Sequence, residues 1–270
     1  MTTQTIAFIG GGNMASALIG GLRRSGRAAA SIVVIEPAET QRARLAEAFD
    51  VQALATADAR LADAATVVWA VKPQTFAAAA APCAPFVASA LQVSVMAGVR
   101  CEALSRASGS LRVVRTMPNT PALIGQGIAG LYAGPEVSAA QRAEVEALFA
   151  PTGQTLWVEK ENDLDAVTAL SGSGPAYVFF FIEAMIQAGA EMGLSQSQAR
   201  QLAQATFAGA AALAQQSPLS PAALREQVTS KGGTTHAAIT ALQASGVQKA
   251  FVTALHAARL RAQELGQAGA

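Results

Sequence analysis

Short aliphatic and β-branched runs at 6–9, 32–35, 51–53, 66–71, 93–96, 113–116, 128–132 and 155–158 alternate with alanine-rich stretches of helical length. That alternation predicts a parallel sheet covered by crossover helices. Ser138 with Gln141 spells a capping box for a helix reaching Phe149, which Pro151 and Gly153 close. Beyond about Asn162 the β-rich runs stop, and the remainder predicts helices punctuated by Gly, Ser and Pro. Ser195 with Gln198 caps one of these toward Gln216, and Ser220-Pro221 opens another. The run Lys231-Gly232-Gly233-Thr234-Thr235 then precedes a final helical pair. The pattern therefore predicts two domains, α/β over 1–162 and all-α over 163–270.

The most apolar stretch, 176–193, has the length of a membrane span, but Glu183, Gln187 and Glu191 interrupt it at spacing four. They share one helical face, so the rest of that helix is expected to meet a core or a second copy of the chain, not lipid. Composition agrees. The 270 residues are 51% hydrophobic, enough for two cores, and 19 Lys and Arg nearly balance 18 Asp and Glu. No net field then draws nucleic acid or an anionic membrane, which leaves small molecules or copies of itself as partners. Cys83 and Cys101 form no CxxC pair, so no disulfide framework and no metal site are expected. Residues 1–5 carry no positive leader region, and the expected location is the cytoplasm.

The start of the chain reads Ile6-Ala7-Phe8-Ile9-Gly10-Gly11-Gly12-Asn13-Met14-Ala15, placing G-x-G-x-x-A between a buried strand and a helix. This is the fingerprint of a Rossmann-type dinucleotide site: a tight turn at Gly10, close backbone approach to pyrophosphate at Gly12, and a small Ala15 for packing. Ile9, Gly10, Gly11, Gly12, Asn13 and Met14 are thus candidate cofactor contacts. Glu36 ends the second strand, where a carboxylate accepts both ribose hydroxyls of NADH and repels a 2′-phosphate. Arg42 and Arg44 follow closely; either they offset that carboxylate for NADPH, or they are solvated residues on a helix face. The cofactor is NADPH or NADH.

Open parallel sheets bind ligands beyond the carboxyl ends of their strands. The loops there read Ala70-Val71-Lys72-Pro73-Gln74, then Met96-Ala97-Gly98-Val99, then Arg115-Thr116-Met117-Pro118-Asn119-Thr120-Pro121. Ala70, Val71, Lys72, Pro73, Ala97 and Gly98 join the candidate contacts, with Lys72 facing a ligand or simply charging a surface loop. Asn119, between two prolines, is expected to present its amide to a nicotinamide carboxamide.

Together with Ser171-Gly172-Ser173-Gly174-Pro175-Ala176-Tyr177 and Ser230-Lys231-Gly232-Gly233-Thr234-Thr235, these segments resemble the pyrroline-5-carboxylate reductase family over nearly the whole chain. The resemblance implies NAD(P)H-dependent reduction of the ring imine of 1-pyrroline-5-carboxylate to L-proline, the final step of proline biosynthesis. It also implies a homodimer through the C-terminal helices, making that half an all-α dimerisation domain, and further assembly as a decamer of dimers. The substrate is a small ring with one carboxylate, so it needs an anion cradle and a hydrogen bond to its nitrogen. Ser230, Lys231, Gly232, Gly233, Thr234 and Thr235 offer both, through backbone N–H groups at a helix start and a hydroxyl. By resemblance Thr235 is the active-site threonine; the alternative, a threonine serving only as N-cap, leaves the glycine pair unexplained. Lys231 departs from the family pattern, which often has proline there, and is either a counter-charge for the carboxylate or a solvent-facing residue. The helix starts near Gly12 and Gly233 are expected to share one cleft.

Two other function classes fit parts of the chain. A β-hydroxyacid dehydrogenase, or a related imine reductase, also joins a Rossmann domain to helices. The former needs a lysine in the helix after Ser171-Gly172-Ser173-Gly174, which here runs from Pro175 to Glu183 without one. A non-enzymatic dinucleotide-sensing regulator would have no need of the Gly232-Gly233 cradle.

Overall fold

The computed structural model describes residues 4–268; part of the leader region considered above, residues 1–3, lies outside them. Eight strands form one sheet: β1 (Thr5–Ile9), β2 (Ile32–Ile35), β3 (Gln52–Leu54), β4 (Ala64–Trp69), β5 (Leu91–Ser94), β6 (Val113–Met117), β7 (Gly127–Ala133) and β8 (Gly153–Trp157). Their spatial order is β3-β2-β1-β4-β5-β6-β7-β8, and every neighbouring pair is parallel except β6 with β7. Both faces are covered, which is why the strands read as continuous apolar runs. Alternate residues feed opposite cores: Phe8, Val34, Val68 and Val93 on one side, Ala7, Ile9, Val67 and Trp69 on the other. Strand order reverses between β1 and β4, so a crevice opens beyond their carboxyl ends.

The helices among these strands are α1 (Asn13–Arg24), α2 (Glu39–Phe49), α3 (Phe76–Ala80), α4 (Ala84–Val87), α5 (Cys101–Ser108) and α6 (Ala139–Phe149). The capping box at Ser138 and Gln141 is present as read from the sequence. After β8 comes α7 (Asp163–Val167), followed by the π-helical turn Thr168–Gly172. The composition shift at 162 marks the end of the strands, but the packing boundary falls later. One compact unit comprises Met1–Ser173 with Ala257–Ala270, the other Gly174–His256. The reason is burial: Leu164, Asp165 and Ala169 are enclosed, and Gly130 of β7 has no Cβ because Val167 occupies that space.

The second unit holds α8 (Gly174–Glu191), α9 (Gln196–Gln216), α10 (Pro221–Gln227), α11 (Thr234–Ala244) and the beginning of α12 (Val247–Ala268). Ser195 forms its capping box with Gln198, and Ser220 accepts from the Ala223 N–H at 3.2 Å. Helices α8 and α9 approach closely where Gly189 meets Ala199. Tyr177 and Phe181 pack edge-on against Phe251, at 5.7 and 5.6 Å between ring centroids. Much apolar surface nevertheless stays open, with Phe179 at 58% and Phe180 at 66% exposure. The helical stretch Asp163–Glu191 is long and apolar enough to cross a membrane by length and composition. Its polar residues include Gln187, which donates to Glu191 at 2.8 Å one turn on.

Candidate active site

The three glycines after β1 have three different reasons to be glycine. Gly10 lies at φ +97°, and a Cβ there would sit 2.7 Å from the Ala70 carbonyl oxygen at the end of β4. Its N–H donates to the Ile35 carbonyl at 2.8 Å, tying the turn to β2. Gly11 is packed instead: a Cβ would meet Leu45 of α2, its N–H donates to Glu36 Oε2 at 2.9 Å, and its carbonyl accepts from Gln41 at 2.6 Å. Gly12, the N-cap of α1, is the contrast. Apart from its own chain neighbours, no atom of the described residues lies within 4 Å of where its Cβ would be, and it offers no side chain to cap the helix. Nothing among the described residues demands glycine at 12, whereas a pyrophosphate seated on the first N–H groups of α1 would.

That position opens into a cleft of about 550 Å³ at the crevice between β1 and β4. Of the residues singled out in sequence, Ile9, Gly10, Gly12, Glu36, Ala70, Val71 and Lys72 line it. Gly11, Asn13, Met14 and Pro73 adjoin these along the chain without lining the cleft. The loop after β3, with Ala55 and Thr56, lines it as well and was not singled out. Its signal lay in topology: β3 sits beside β2, so its carboxyl end shares the same edge. The donors at the α1 start, the open space at Gly12 and the carboxylate of Glu36 together suit a dinucleotide.

Both Glu36 carboxylate oxygens already receive backbone N–H groups, from Gly11 and from Ala38, each at 2.9 Å. Each oxygen keeps a further lone pair for a ribose hydroxyl. Arg42 is held nearby by the Glu36 and Pro37 carbonyls, at 2.9 and 2.7 Å, while Arg44 is exposed. Glu36→Ser is expected to raise the kcat/KM ratio for NADPH over NADH about tenfold, the scale of one charge-assisted contact. An unchanged ratio would remove Glu36 from cofactor discrimination.

Ala97, Gly98 and Asn119 do not line the cleft; they lie after β5 and β6. Asn119 also has a structural part. It is 9% exposed, its Oδ1 accepts from the Ile128 N–H at 3.0 Å, and its Nδ2 donates to the Ser171 carbonyl at 3.2 Å. These two bonds hold its loop to β7 and to the Ser171 turn, and they leave one N–H and one oxygen lone pair of the amide for a ligand.

A charged cluster ties the loop after β5 and strand β6 to the segment after β8. Arg115 pairs with Glu161 at 2.9 Å and Arg100 with Asp165 at 2.9 Å. Burial, reinforced by the Glu161 charge, pushes the Cys101 thiol up to about 12, and burial alone pushes Cys83 up to about 11. Both thiols stay protonated in the folded protein while the unfolded chain ionises them near pH 9. Stability therefore falls as pH rises from about 9 toward 12. Iodoacetamide at pH 8 is expected to label neither cysteine until the protein unfolds; fast labelling of the native protein would contradict this burial.

In the second unit, Gly232 takes φ +76° and Gly233 donates to the Ser230 carbonyl at 3.0 Å. A Cβ on Gly233 would lie 2.6 Å from Ser230 Oγ. The glycine pair thus has a local reason, which a threonine N-cap alone did not supply. Gly233 itself is the N-cap of α11, without a side-chain cap. Neither threonine is the cap. Thr234 and Thr235 are the first two helical residues, Thr234 and Lys231 exposed and Thr235 half-buried. No side chain caps these first N–H groups, which suits a carboxylate.

Residues 5–98 match the family model described as NADP oxidoreductase, coenzyme F420-dependent. Residues 161–265 match that described as pyrroline-5-carboxylate reductase dimerisation. The pyrroline-5-carboxylate reductase of Pseudomonas aeruginosa is 46% identical over 99% of this chain and 98% of its own length. Among solved structures, a pyrroline-5-carboxylate reductase from Coxiella burnetii has a TM-score of 0.89 at 35% identity, covering 98% of this chain and 99% of its own. The Plasmodium falciparum pyrroline carboxylate reductase, with NADP bound, has a TM-score of 0.87 at 27% identity with the same coverage. With identity of this level running through both domains, the chain belongs to the pyrroline-5-carboxylate reductase family.

Proposed function

We propose that this chain reduces 1-pyrroline-5-carboxylate to L-proline with NADPH or NADH, the final step of proline biosynthesis. The observation that carries the cofactor half is the open Gly12 position at the head of α1, in a cleft at the strand-order reversal. When bound, the reduced nicotinamide supplies a hydride to the ring carbon beside the nitrogen. The chain's own residues do the rest. Backbone N–H groups at the start of α11, with Ser230, Lys231, Gly232 and Gly233, hold the substrate carboxylate. The Thr235 hydroxyl orients the ring nitrogen, and no strong acid is required if the imine enters protonated. Ala97 and Gly98, beyond β5, seat the nicotinamide ring.

The exposed apolar residues of α8, Phe179 and Phe180 among them, fit burial by a second copy of the chain. The matched dimerisation family supports this homodimer, and it gives the membrane-length helix an interface to occupy. Further assembly into a decamer of dimers and work in the cytoplasm, away from membranes and nucleic acid, complete the reading. The test is loss of NAD(P)H absorbance on adding pyrroline-5-carboxylate, run with both cofactors and compared with 3-hydroxy acids in the oxidative direction. Imine-dependent oxidation of either cofactor is expected. No response to the imine, with turnover of a 3-hydroxy acid, would move the chain to the dehydrogenase class.

A further inference from the structure

The loop after β5 is gripped from three directions. Gly98, at φ +80°, is buried against the last turns of α12: a Cβ on it would lie 3.1 Å from the Gly266 nitrogen and the Leu265 carbonyl carbon. The approach is mutual. A Cβ on Gly266 would lie 3.0 Å from Arg100 Nε and 3.2 Å from the Gly98 oxygen, so two glycine backbones meet with the Arg100 guanidinium laid across the seam. That guanidinium donates to Asp165 Oδ2 at 2.9 Å and to Asn162 Oδ1 at 3.1 Å, and Asp165 is only 2% exposed. The next residue, Cys101, donates its N–H to Glu161 Oε1 at 2.7 Å, the same oxygen that receives Arg115.

Such fixity is more than a connecting loop requires. A surface loop ordinarily keeps solvent-exposed backbone and few partners, whereas this one spends an ion pair, a backbone hydrogen bond to a carboxylate and a glycine-on-glycine contact on four residues. We propose that Arg100, seated between Gly266 and Asp165, is a positioning residue that fixes the Ala97–Gly98 backbone at the height where the nicotinamide ring delivers its hydride. It touches neither substrate nor cofactor. The proposal rests on the reading that this loop seats the nicotinamide. Dinucleotide affinity comes mainly from the α1 start and Glu36, so the clamp governs the rate of transfer more than the strength of binding.

Gly266→Ala tests the clamp as a whole, since alanine favours the helix while its methyl presses on both the guanidinium and the Gly98 oxygen, and Arg100→Lys isolates the guanidinium. Expected are a Kd for NADPH within about twofold of the unsubstituted protein, a kcat about tenfold lower, and reduced anisotropy of bound nicotinamide fluorescence. A folded variant with unaltered anisotropy and kcat would overturn the proposal. So would a Kd raised tenfold with anisotropy unaltered, because the loop would then bind the cofactor without positioning it. Should Gly266→Ala not fold, Arg100→Lys decides with the same readouts: lysine keeps a charge for Asp165 but cannot fork to Asn162 as well. Kd and anisotropy need no imine, so a protein that binds NADPH but ignores pyrroline-5-carboxylate refutes the substrate assignment and leaves the clamp standing or falling on its own data. Failure of the unsubstituted protein to bind NADPH would remove the underlying reading and the clamp together.

Discussion

Gly12→Ala should fold with stability within about 1 kcal/mol of the unsubstituted protein, yet bind NADPH about thirtyfold more weakly, the loss expected of a charge-assisted contact worth about 2 kcal/mol. Gly10→Ala should do the reverse of the first half. Its φ of +97° and a Cβ 2.7 Å from a carbonyl oxygen cannot be relieved by a side-chain rotation, because the obstacle is the backbone of β4. Left-handed strain of about 1–2 kcal/mol and overpacking of about 1–3 kcal/mol together predict a stability loss of about 3 kcal/mol. Urea unfolding separates the two variants, and fluorescence titration with NADPH measures the first. If Gly12→Ala bound NADPH like the unsubstituted protein, the space at residue 12 would have no ligand to serve, and the dinucleotide would have to enter elsewhere.

That contrast also marks what could be read from sequence. A glycine fingerprint states that three residues lack side chains; it does not state why. Coordinates divide the reasons among a strand end at Gly10, the α2 residue Leu45 at Gly11, and open space at Gly12. Local devices were fully legible, because Ser138, Ser195 and Ser220 cap with partners three residues away. Partners distant in sequence were not. The Asn119 amide bonds to groups 9 and 52 residues on, and no spacing rule reveals that. Gly98 was singled out for a ligand, but its contact with Gly266, far along the chain, has no sequence signal to pair these two among 23 glycines. The compact unit runs past the composition change at 162 for a similar reason: composition registers the last strand, while α7 goes on burying Leu164 after the strands have ended.

Thr235→Ala should lower kcat about ten- to a hundredfold, equivalent to about 1.4–2.7 kcal/mol of transition-state stabilisation lost with one orienting hydrogen bond. The placement of Thr235 makes this a clean experiment. Gly233 is the N-cap, so removing the hydroxyl from the second helical residue deletes no cap, and alanine has the higher helix propensity. Thermal stability should hold or rise slightly. NADPH affinity should barely move, since the dinucleotide cleft is lined by residues between Ile9 and Pro82. Thr235→Ser, which keeps the hydroxyl, should recover most of the lost turnover, though the freer serine rotamer holds the ring nitrogen less firmly. A drop confined to kcat and relieved by serine identifies the hydroxyl as the orienting group. Undiminished turnover in the alanine variant would instead leave substrate orientation to the backbone N–H groups of α11 alone, and the half-buried threonine would be a packing residue at the mouth of an anion cradle.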